Sequence, residues 1–513
     1  MKQPYYITTA ISYVNAVPHL GHAYEAIATD VIARFMRLDG FDVRFLTGTD
    51  EHGQKVEKSA QAAGQEPRAF CDDVASSFEA MTKTLAISND DFIRTTESRH
   101  VRSSQAIWER LADAGDIYLD SYAGWYSVRD EAFFGEEELT KGPDGEMLAP
   151  SGAPVDWVEE PSYFFRLSDY TDKLLAHYDA NPDFILPHYR RNEVVSFVKQ
   201  GLNDLSVSRT SFKWGIPVPG DDKHVMYVWL DALTNYITAI GYPDVDSAEF
   251  NRYWPASLHV IGKDIVRFHT IYWPAFLMSA GLPLPKRVFG HGFLTIQGQK
   301  MSKSLGNVMA PETLVEEFGL DQIRYFLMRE VPFGNDGSFS REAMIQRINS
   351  DLANDLGNLA QRVLSMIAKN CDAQVPEPGD LEPADQALTD AAKQALTVMR
   401  EAMQEQAIHR ALEAAWRIVA QANRYVDAQA PWALRKQDPA RMRTVLYVLA
   451  DVIRMLGIYV QPVAPVAAAK LLDQLAVPED ARAFADIETP LTPGTALPPP
   501  SPVFPRHVEE AAD

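Results

Sequence analysis

The chain of 513 residues exceeds what a single hydrophobic core usually supports, so roughly two to four domains are expected. Its formal net charge of −22 argues against a general nucleic-acid coat, because nonspecific phosphate binding needs dense positive charge, although a local basic face stays compatible with it. No apolar run approaches the roughly 20 residues that cross a bilayer, and the opening MKQPYYITTA lacks the apolar segment of a signal peptide, which argues against a membrane or secreted protein.

The first part of the chain alternates strand-like and helix-like patterns. These predict a strand from Tyr5 to Tyr13, a helix from about His19 to Asp39, the strand DVRFLTGTD and a longer helical region past Lys55. Such βαβ alternation is typical of a parallel sheet with helices on its faces, so the predicted fold class is α/β.

The pattern changes at about Tyr118. Short strands, acidic loops and turn sequences such as KGPDGE continue to about Lys223, which indicates an insertion of mixed α/β character. The α/β pattern resumes at HVMYVWLDALTNY and at LHVIGKDIVRFH, and nearly everything after Pro311 is helical. The final LTPGTALPPPSPVFPR predicts an extended, poorly ordered tail.

Two histidines bracket a glycine in HLGH, at the start of the first predicted helix. Ligands of open α/β sheets bind beyond the carboxyl ends of the strands, where a helix N-terminus offers N–H groups and a favourable dipole to an anion. His19 and His22 could donate hydrogen bonds to phosphate oxygens, and Gly21 would allow a close approach. Taken alone, the four residues fit two surface histidines better, because matches this short are common by chance.

A second polar motif, QGQKMSKSLGN, carries Lys300 and Lys303 between glycines. These lysines could reach phosphates from the side opposite the histidines, although the loop alone would also fit a solvated basic turn. The two motifs occur in this order on either side of a split α/β domain, which makes coincidence improbable.

With HLGH and KMSKS intact, the sequence resembles the class I aminoacyl-tRNA synthetases. The strings AISYVNAVPHLGH, TGTDEHGQK, YVWLDALTNY, VIGKDIVRFH, HGFLTIQGQKMSKSLGN and NRYVDAQAPW resemble methionyl-tRNA synthetases in particular and span most of the chain. The isoleucyl, leucyl and valyl enzymes carry a large editing insertion for which this chain has no room. The cysteinyl enzyme depends on a zinc site built from Cys and His, which this sequence cannot supply.

The resemblance implies a Rossmann-type catalytic domain, split by a connective insertion and followed by an all-α anticodon-binding bundle. The expected units are the first catalytic half at 1–117, the insertion at 118–225, the second catalytic half at 226–300, the KMSKS loop and stem region at 301–350, the helical anticodon-binding domain at 351–490 and the Pro-rich tail at 491–513.

The implied reaction joins methionine to ATP as methionyl adenylate, releases pyrophosphate and then transfers methionine to the 3′-terminal adenosine of tRNA. Its cofactor is Mg²⁺, which would neutralise phosphate oxygens. Catalysis would be mainly positioning and charge stabilisation. The implied catalytic residues are His19, His22, Lys300 and Lys303, and the implied ATP-binding residues add Gly21, Gly262, Asp264 and Ser302.

By the same resemblance, Ala10, Ile11, Tyr13, Asp50, Trp229, Tyr236 and His269 form the methionine pocket. Asp50 would hold the substrate ammonium, and a hydrogen bond from Tyr236 or the Ile11 backbone to sulfur would sharpen a weak hydrophobic discrimination. Without the surrounding motifs, the aromatic set would fit an ordinary core. Asp50, Glu51 and His52 fit a metal site poorly, because consecutive strand-end residues point in different directions.

Residues that match the family's anticodon-reading positions follow in the helical half. Asn358 and Arg362 lie one turn apart beside a predicted buried stripe of Leu352, Leu356, Leu359, Val363 and Met366. Trp432, at a predicted helix boundary, could stack an unpaired base of a CAU anticodon. Arg410, Arg417 and Arg424 could track phosphates, or could form a solvated stripe of salt bridges.

The predicted insertion departs from the zinc-binding members of the family. No Cys or His occurs between His100 and His177, so no zinc is expected, because soft-metal sites need thiolate or imidazole ligands. Cys71 and Cys371, the only cysteines, are far apart, which predicts a cytoplasmic protein without disulfides. We also expect the family's optional C-terminal tRNA-binding and dimerisation domain to be absent, and therefore a monomer with no obligate protein partner and no membrane.

Two other functions stay open from the sequence. A small-molecule nucleotidyltransferase would explain the phosphate motifs but not the helical half with Asn358, Arg362 and Trp432. A noncatalytic RNA-binding relative would explain those residues but would have little reason to retain both histidines and both lysines.

Overall fold

The computed structural model describes residues 2–130, 132–142, 144–296, 299–300 and 309–508. Its strands, numbered in chain order, are β1 Pro4–Thr9, β2 Ser12–Tyr13, β3 Asp42–Asp50, β4 Asp91–Arg94, β5 Ile117–Ser127, β6 Ala132–Phe134, β7 Thr140–Lys141, β8 Met147–Leu148, β9 Asp156–Phe165, β10 Ile185–Leu186, β11 Leu205–Ser206, β12 Ser208–Arg209, β13 Pro217–Val218, β14 Asp221–Met226, β15 Leu258–Gly262, β16 Val288–His291, β17 Leu294–Ile296, β18 Gln299–Lys300 and β19 Gly337–Phe339.

The α-helices are α1 Leu20–Leu38, α2 Gln54–Ala62, α3 Pro67–Thr84, α4 Ser98–Asp113, α5 Thr171–Ala180, α6 His188–Val198, α7 Val228–Thr238, α8 Ala248–Tyr253, α9 Trp273–Ser279, α10 Pro311–Phe318, α11 Leu320–Glu330, α12 Arg341–Arg347, α13 Asn358–Asn370, α14 Pro383–Gln404, α15 Ile408–Gln429, α16 Pro431–Gln437, α17 Pro439–Val460 and α18 Pro465–Gln474. Two π-helical segments span Phe268–Tyr272 and Ile348–Gly357. Among the described residues, no helix is both long and apolar enough to span a membrane.

The central sheet is parallel and has the strand order β10-β16-β15-β1-β3, with both β2 and β4 pairing with β3, which confirms the predicted Rossmann-type architecture. The single strand expected from Tyr5 to Tyr13 is divided into β1 and β2, because the chain leaves the ladder at Ala10. The Ala10 N–H is directed to the Val260 carbonyl at 3.1 Å and to Glu25 Oε1 at 3.2 Å. This break places Ala10 and Ile11 at the carboxyl edge of the sheet.

The segment predicted as an insertion is built on a long antiparallel ribbon of β5 and β9, which β6 and β11 extend into a four-stranded sheet. One short strand of this segment, β10, pairs instead with β16 in the central sheet. The segment therefore also extends the central sheet.

Helices α13 to α18 form the helical half, with a core that is continuous with α1 of the sheet domain. Leu352, Leu356, Leu359 and Val363 are buried as predicted, but Met366 is only half-buried and Ile367 takes its place. Leu352 and Leu356 lie in the π-helical segment Ile348–Gly357, whose turns hold more residues than those of an α-helix, so the spacing of one regular helix does not continue into α13.

The Pro-rich segment is not the poorly ordered tail that its composition predicted. Its residues up to 508 pack on the helical half, where Phe504 is only 5% exposed. The Val375 N–H donates to the Thr495 carbonyl at 2.8 Å, and the His507 N–H donates to Asn349 Oδ1 at 2.9 Å. Apolar residues between the prolines therefore anchor the segment, although proline itself supplies no backbone donor.

A buried arginine of α11 connects the sheet domain to the helical half. Arg324 of α11 and Asp30 of α1 are both unexposed, and their side chains meet at 2.6 Å. Arg324 also donates to the carbonyls of Leu85, Pro462 and Val463 at 2.9 to 3.1 Å. Burial raises the pKa of Asp30, but the nearby guanidinium groups outweigh this effect and lower it, so the carboxylate stays charged.

Replacing Arg324 with leucine is expected to reduce the free energy of unfolding by about 3 to 5 kcal/mol, because it removes a buried charge partner of Asp30, which keeps its pair with Arg34, and leaves three carbonyls without their donor. Chemical denaturation of both proteins measures this difference. The matched control is Arg410→Ala, which removes an exposed pair with Glu405 and should change stability by less than about 1 kcal/mol. Equal stability of the Arg324 variant and the native chain would contradict the prediction.

Candidate active site

The HLGH motif forms the N-terminal cap of α1, as the sequence predicts. The Gly21 N–H donates to Nδ1 of His19 at 3.0 Å, and the His19 N–H donates to Nδ1 of His22 at 3.2 Å. The two imidazole rings stack with centroids 3.9 Å apart. Since each Nδ1 accepts a backbone hydrogen bond, Nε2 is the ring nitrogen that is left to donate a proton.

The protonation of His22 is set by its surroundings. Burial, and then the neighbouring His19, lower the pKa of His22 to about 3. The ring is therefore neutral near pH 7, and it offers an Nε2–H donor rather than a positive charge.

The predicted lysine loop falls largely outside the described residues. Ser302, Lys303 and the side chain of Lys300 are among the parts that the structure does not describe. The flanks of the loop are described: β17 precedes it and Met309 follows it, and the Met309 carbonyl accepts a hydrogen bond from the Leu20 N–H at 3.1 Å. The chain after the loop therefore returns to the first turn of α1.

A cavity of about 300 Å³ opens at the carboxyl edge of the sheet beside this helix start. All seven residues predicted for the methionine pocket line it, together with His22 and both predicted nucleotide-side residues of the GKD motif. They are Ala10, Ile11, Tyr13, Asp50, Trp229, Tyr236, His269, His22, Gly262 and Asp264. The structure thus brings together residues from four separate motifs.

The aromatic end of the cavity has a fixed hydrogen-bond direction. Nδ1 of His269 lies 3.0 Å from the Ile265 carbonyl and donates to it, so Nε2 accepts from the Tyr236 hydroxyl at 2.6 Å. Burial lowers the pKa of His269 to about 4, so this ring is neutral too. His269 belongs to the π-helical segment, and the preceding Phe268 stacks on Trp229 with ring centroids 3.8 Å apart.

One pair at this edge was not predicted from the sequence: the buried His291 and the partly buried Glu25. Nε2 of His291 donates to Glu25 Oε2 at 2.8 Å, and Nδ1 donates to the Gly292 carbonyl at 2.8 Å. Burial lowers the pKa of His291, but the Glu25 carboxylate outweighs burial and raises it. Two signals could have found the pair: Glu25 follows His22 by one helical turn, and His291 ends a parallel strand.

The residues predicted to read an anticodon lie together at the other end of the chain. Asn358 is exposed at the start of α13, and the Arg362 guanidinium lies 5.4 Å from the centre of the Trp432 ring. Trp432 is 48% exposed, which is unusual for so large an apolar side chain. Arg362 also pairs with Asp427 at 2.9 Å, so a bound phosphate or base would have to compete with this carboxylate.

Two family models match this chain, one over the sheet domain and one over the helical half. The family described as tRNA synthetases class I (M) matches residues 5–364, and the anticodon binding domain of methionyl tRNA ligase matches residues 375–513. The parallel sheet, the HLGH helix start and the adjoining pocket define a class I aminoacyl-tRNA synthetase. The methionine–tRNA ligase of Brucella suis is 64% identical over 509 residues, 99% of each chain, and that of Mycobacterium bovis is 60% identical over 98% of each. The chain belongs to the methionyl-tRNA synthetase family.

Solved structures show the same relationship. Mycobacterium tuberculosis methionyl-tRNA synthetase in complex with methionyl-adenylate has 59% identity and a TM-score of 0.97, covering 98% of this chain and 100% of that one. The free-state structure of that enzyme has 56% identity and a TM-score of 0.91, covering 99% of each. Family membership decides against a small-molecule nucleotidyltransferase and against a noncatalytic RNA-binding protein.

Proposed function

We propose that the cavity at the carboxyl edge of the sheet is where this methionine–tRNA ligase activates methionine with ATP. The observation that carries the proposal is the convergence, in one cavity, of Asp50, the aromatic residues and His22. The methionine carboxylate attacks the α-phosphorus of ATP, the bond to the bridging oxygen of the β-phosphate breaks, and pyrophosphate leaves. The 3′-terminal adenosine hydroxyl of tRNA then attacks the methionyl carbonyl and AMP leaves.

Methionine is held at its two ends. The Asp50 carboxylate, 7% exposed at the end of β3, pairs with the substrate ammonium. Tyr13, Trp229 and Tyr236 surround the thioether, and each sulfur–aromatic contact contributes about 0.3 to 1.5 kcal/mol. The Tyr236 hydroxyl proton is engaged by His269, so the Ile11 backbone N–H is the better donor to sulfur.

The phosphates lie against the start of α1. The Nε2–H groups of His19 and His22 donate to the α and β phosphates, where the helix dipole also favours negative charge. Gly21 lets the nucleotide approach. By family resemblance, Lys300, Ser302 and Lys303 bind the leaving pyrophosphate.

Gly262 and Asp264 are assigned to the ribose. A Cβ atom on Gly262 would lie 2.6 Å from Asp264 Oδ1 and displace that carboxylate. A side chain at position 262 is thus incompatible with the present place of Asp264.

Mg²⁺ fits this site through the phosphates rather than through a protein cage. Among the described residues, no group of three His, Cys, Asp or Glu side chains is arranged to hold a metal. Mg²⁺ commonly enters active sites on substrate phosphates, where it neutralises their oxygens. We assign no zinc to the chain, because the insertion contains neither Cys nor His between His100 and His177.

The partner is tRNA with a CAU anticodon. Trp432 stacks an anticodon base, Arg362 moves from Asp427 to the RNA, and Asn358 contacts a base edge. Arg410 pairs with Glu405 at 2.7 Å. This ion pair fits a solvent-exposed stripe of salt bridges better than a row of arginines that binds RNA phosphates. The working form that we propose is a cytoplasmic monomer without an obligate protein partner.

Replacing Asp50 with asparagine tests the assignment of the ammonium site. The KM for methionine in pyrophosphate exchange is expected to rise by about 100-fold, because a buried charge partner is lost while the side-chain shape is kept. The KM for ATP should stay near the native value. Asp222→Asn, at an exposed position of the insertion, is the matched control. An unchanged methionine KM in the Asp50 variant would refute the role of Asp50.

A further inference from the structure

A buried carboxylate connects two walls of the proposed methionine pocket. Asp231, in the first turn of α7, has no solvent exposure. Its Oδ2 lies 2.7 Å from Nδ1 of His52, and its Oδ1 lies 2.7 Å from Nε2 of His100. Both carboxylate oxygens are thus engaged, so Asp231 can affect a ligand only through the residues that it holds.

The two histidines belong to different parts of the fold. His52 follows Asp50 by two residues at the end of β3, whereas His100 lies in α4. Asp231 itself follows Trp229 by two residues and precedes Tyr236 on the same helix. The bond from His52 to Asp231 therefore joins the segment with the ammonium-binding carboxylate to the helix with the aromatic side chains.

The hydrogen bond between His52 and Asp231 is strong, and Trp214 also holds the segment around His52. Burial alone would raise the pKa of Asp231, but His52 and His100 lower it to about 2, so the carboxylate is ionised and its hydrogen bonds are charge-assisted. The Trp214 ring packs edge-on against His52 with centroids 5.5 Å apart, and its Nε1–H donates to the Glu51 carbonyl at 2.6 Å. A segment held in this way cannot shift without breaking these contacts.

We propose that Asp231 is a positioning residue that acts through His52 to fix the distance from Asp50 to the aromatic end of the pocket, so that the enzyme selects amino acids by chain length. The inference rests on the proposed role of Asp50. A pocket with two fixed ends admits methionine and norleucine, which have chains of the same number of atoms, and disfavours ethionine, which is one methylene longer. Selection of sulfur over carbon depends on other contacts.

The test compares two variants that each remove one hydrogen bond from Asp231. His52→Leu cuts the connection to the Asp50 segment, and His100→Leu cuts the connection to α4. Pyrophosphate exchange is measured with methionine, norleucine and ethionine, and thermal unfolding is recorded for each protein. His52→Asn serves as the rescue, because its amide places a donor near the position of Nδ1.

For His52→Leu, the preference for methionine over ethionine in kcat/KM should fall by about tenfold, within the range that one methylene controls. The preference for methionine over norleucine should not change, and the KM for methionine should rise more than kcat falls. His52→Asn should restore the ethionine preference, and His100→Leu should retain it even if its unfolding temperature drops.

Three results would overturn the inference. The first is an equal change of the ethionine preference in His52→Leu and His100→Leu, and the second is an unchanged ethionine preference in His52→Leu. The third is a parallel loss of the preferences against ethionine and against norleucine. Failure of the underlying assignment is distinguishable, because Asp50→Asn would then leave the methionine KM unchanged. If Asp50→Asn raises the methionine KM but His52→Leu keeps the native ethionine preference, the positioning role is refuted and the role of Asp50 stands.

Discussion

Replacing His19 with asparagine is expected to lower kcat for methionine-dependent pyrophosphate exchange by about 100- to 1,000-fold, the usual loss for one transition-state donor. Asparagine is a favoured helix N-cap, so its side-chain oxygen can replace Nδ1 as the acceptor of the Gly21 N–H. The substitution therefore removes the Nε2–H donor and keeps the N-cap hydrogen bond. The KM for methionine and the unfolding temperature should both stay near their native values.

The comparison with His19→Ala separates the two roles of this side chain. Alanine removes the cap as well, so it should lose about 1 kcal/mol of stability in addition to activity. Since the neighbouring His22 is neutral, with a pKa near 3, it cannot replace a lost donor by adding a proton near pH 7. Native kcat in the asparagine variant would show that His19 only caps α1.

Replacing Trp432 with alanine is expected to lower kcat/KM for tRNA in aminoacylation by about 5- to 150-fold, which corresponds to the 1 to 3 kcal/mol of one stacked base. Pyrophosphate exchange without tRNA should be unaffected, because Trp432 lies on α16 in the helical half and does not line the cavity. The ring is 48% exposed, so a base can stack on it without first displacing a layer of protein side chains.

Val398→Ala is a suitable control for this variant. Val398 is an exposed apolar residue of the same half, 41% exposed on α14. Its removal should leave tRNA aminoacylation unchanged. The anticodon role would be contradicted if the Trp432 variant kept the native kcat/KM for CAU-bearing tRNA. It would also be contradicted if pyrophosphate exchange fell as much as aminoacylation.

The local sequence pattern was sufficient to predict the bounds of the helices and strands whose hydrophobic periodicity is strong. The helix expected from His19 to Asp39 is α1 with those two residues as its caps, and DVRFLTGTD is β3 from end to end. The residues grouped by motif also meet in one cavity, because carboxyl ends of parallel strands share an edge of the sheet.

Tertiary contacts decided the features that the sequence could not supply. The division of the first strand depends on Val260 and Glu25, which are remote from Ala10 in the chain. The Pro-rich segment is ordered because Phe504 finds a hydrophobic site on helices far upstream. The direction of the Tyr236 hydroxyl likewise depends on which nitrogen of His269 bonds to Ile265, and no spacing rule encodes that choice.

The most direct test of the methionine pocket and of the zinc-free insertion is aminoacylation of a CAU-bearing tRNA after exhaustive removal of zinc and addition of Mg²⁺. Methionine, leucine, isoleucine and cysteine are supplied one at a time. Charging is expected with methionine alone and at full rate without zinc. Charging with another of these amino acids would contradict the pocket assignment, and loss of charging that only zinc restores would contradict the metal assignment.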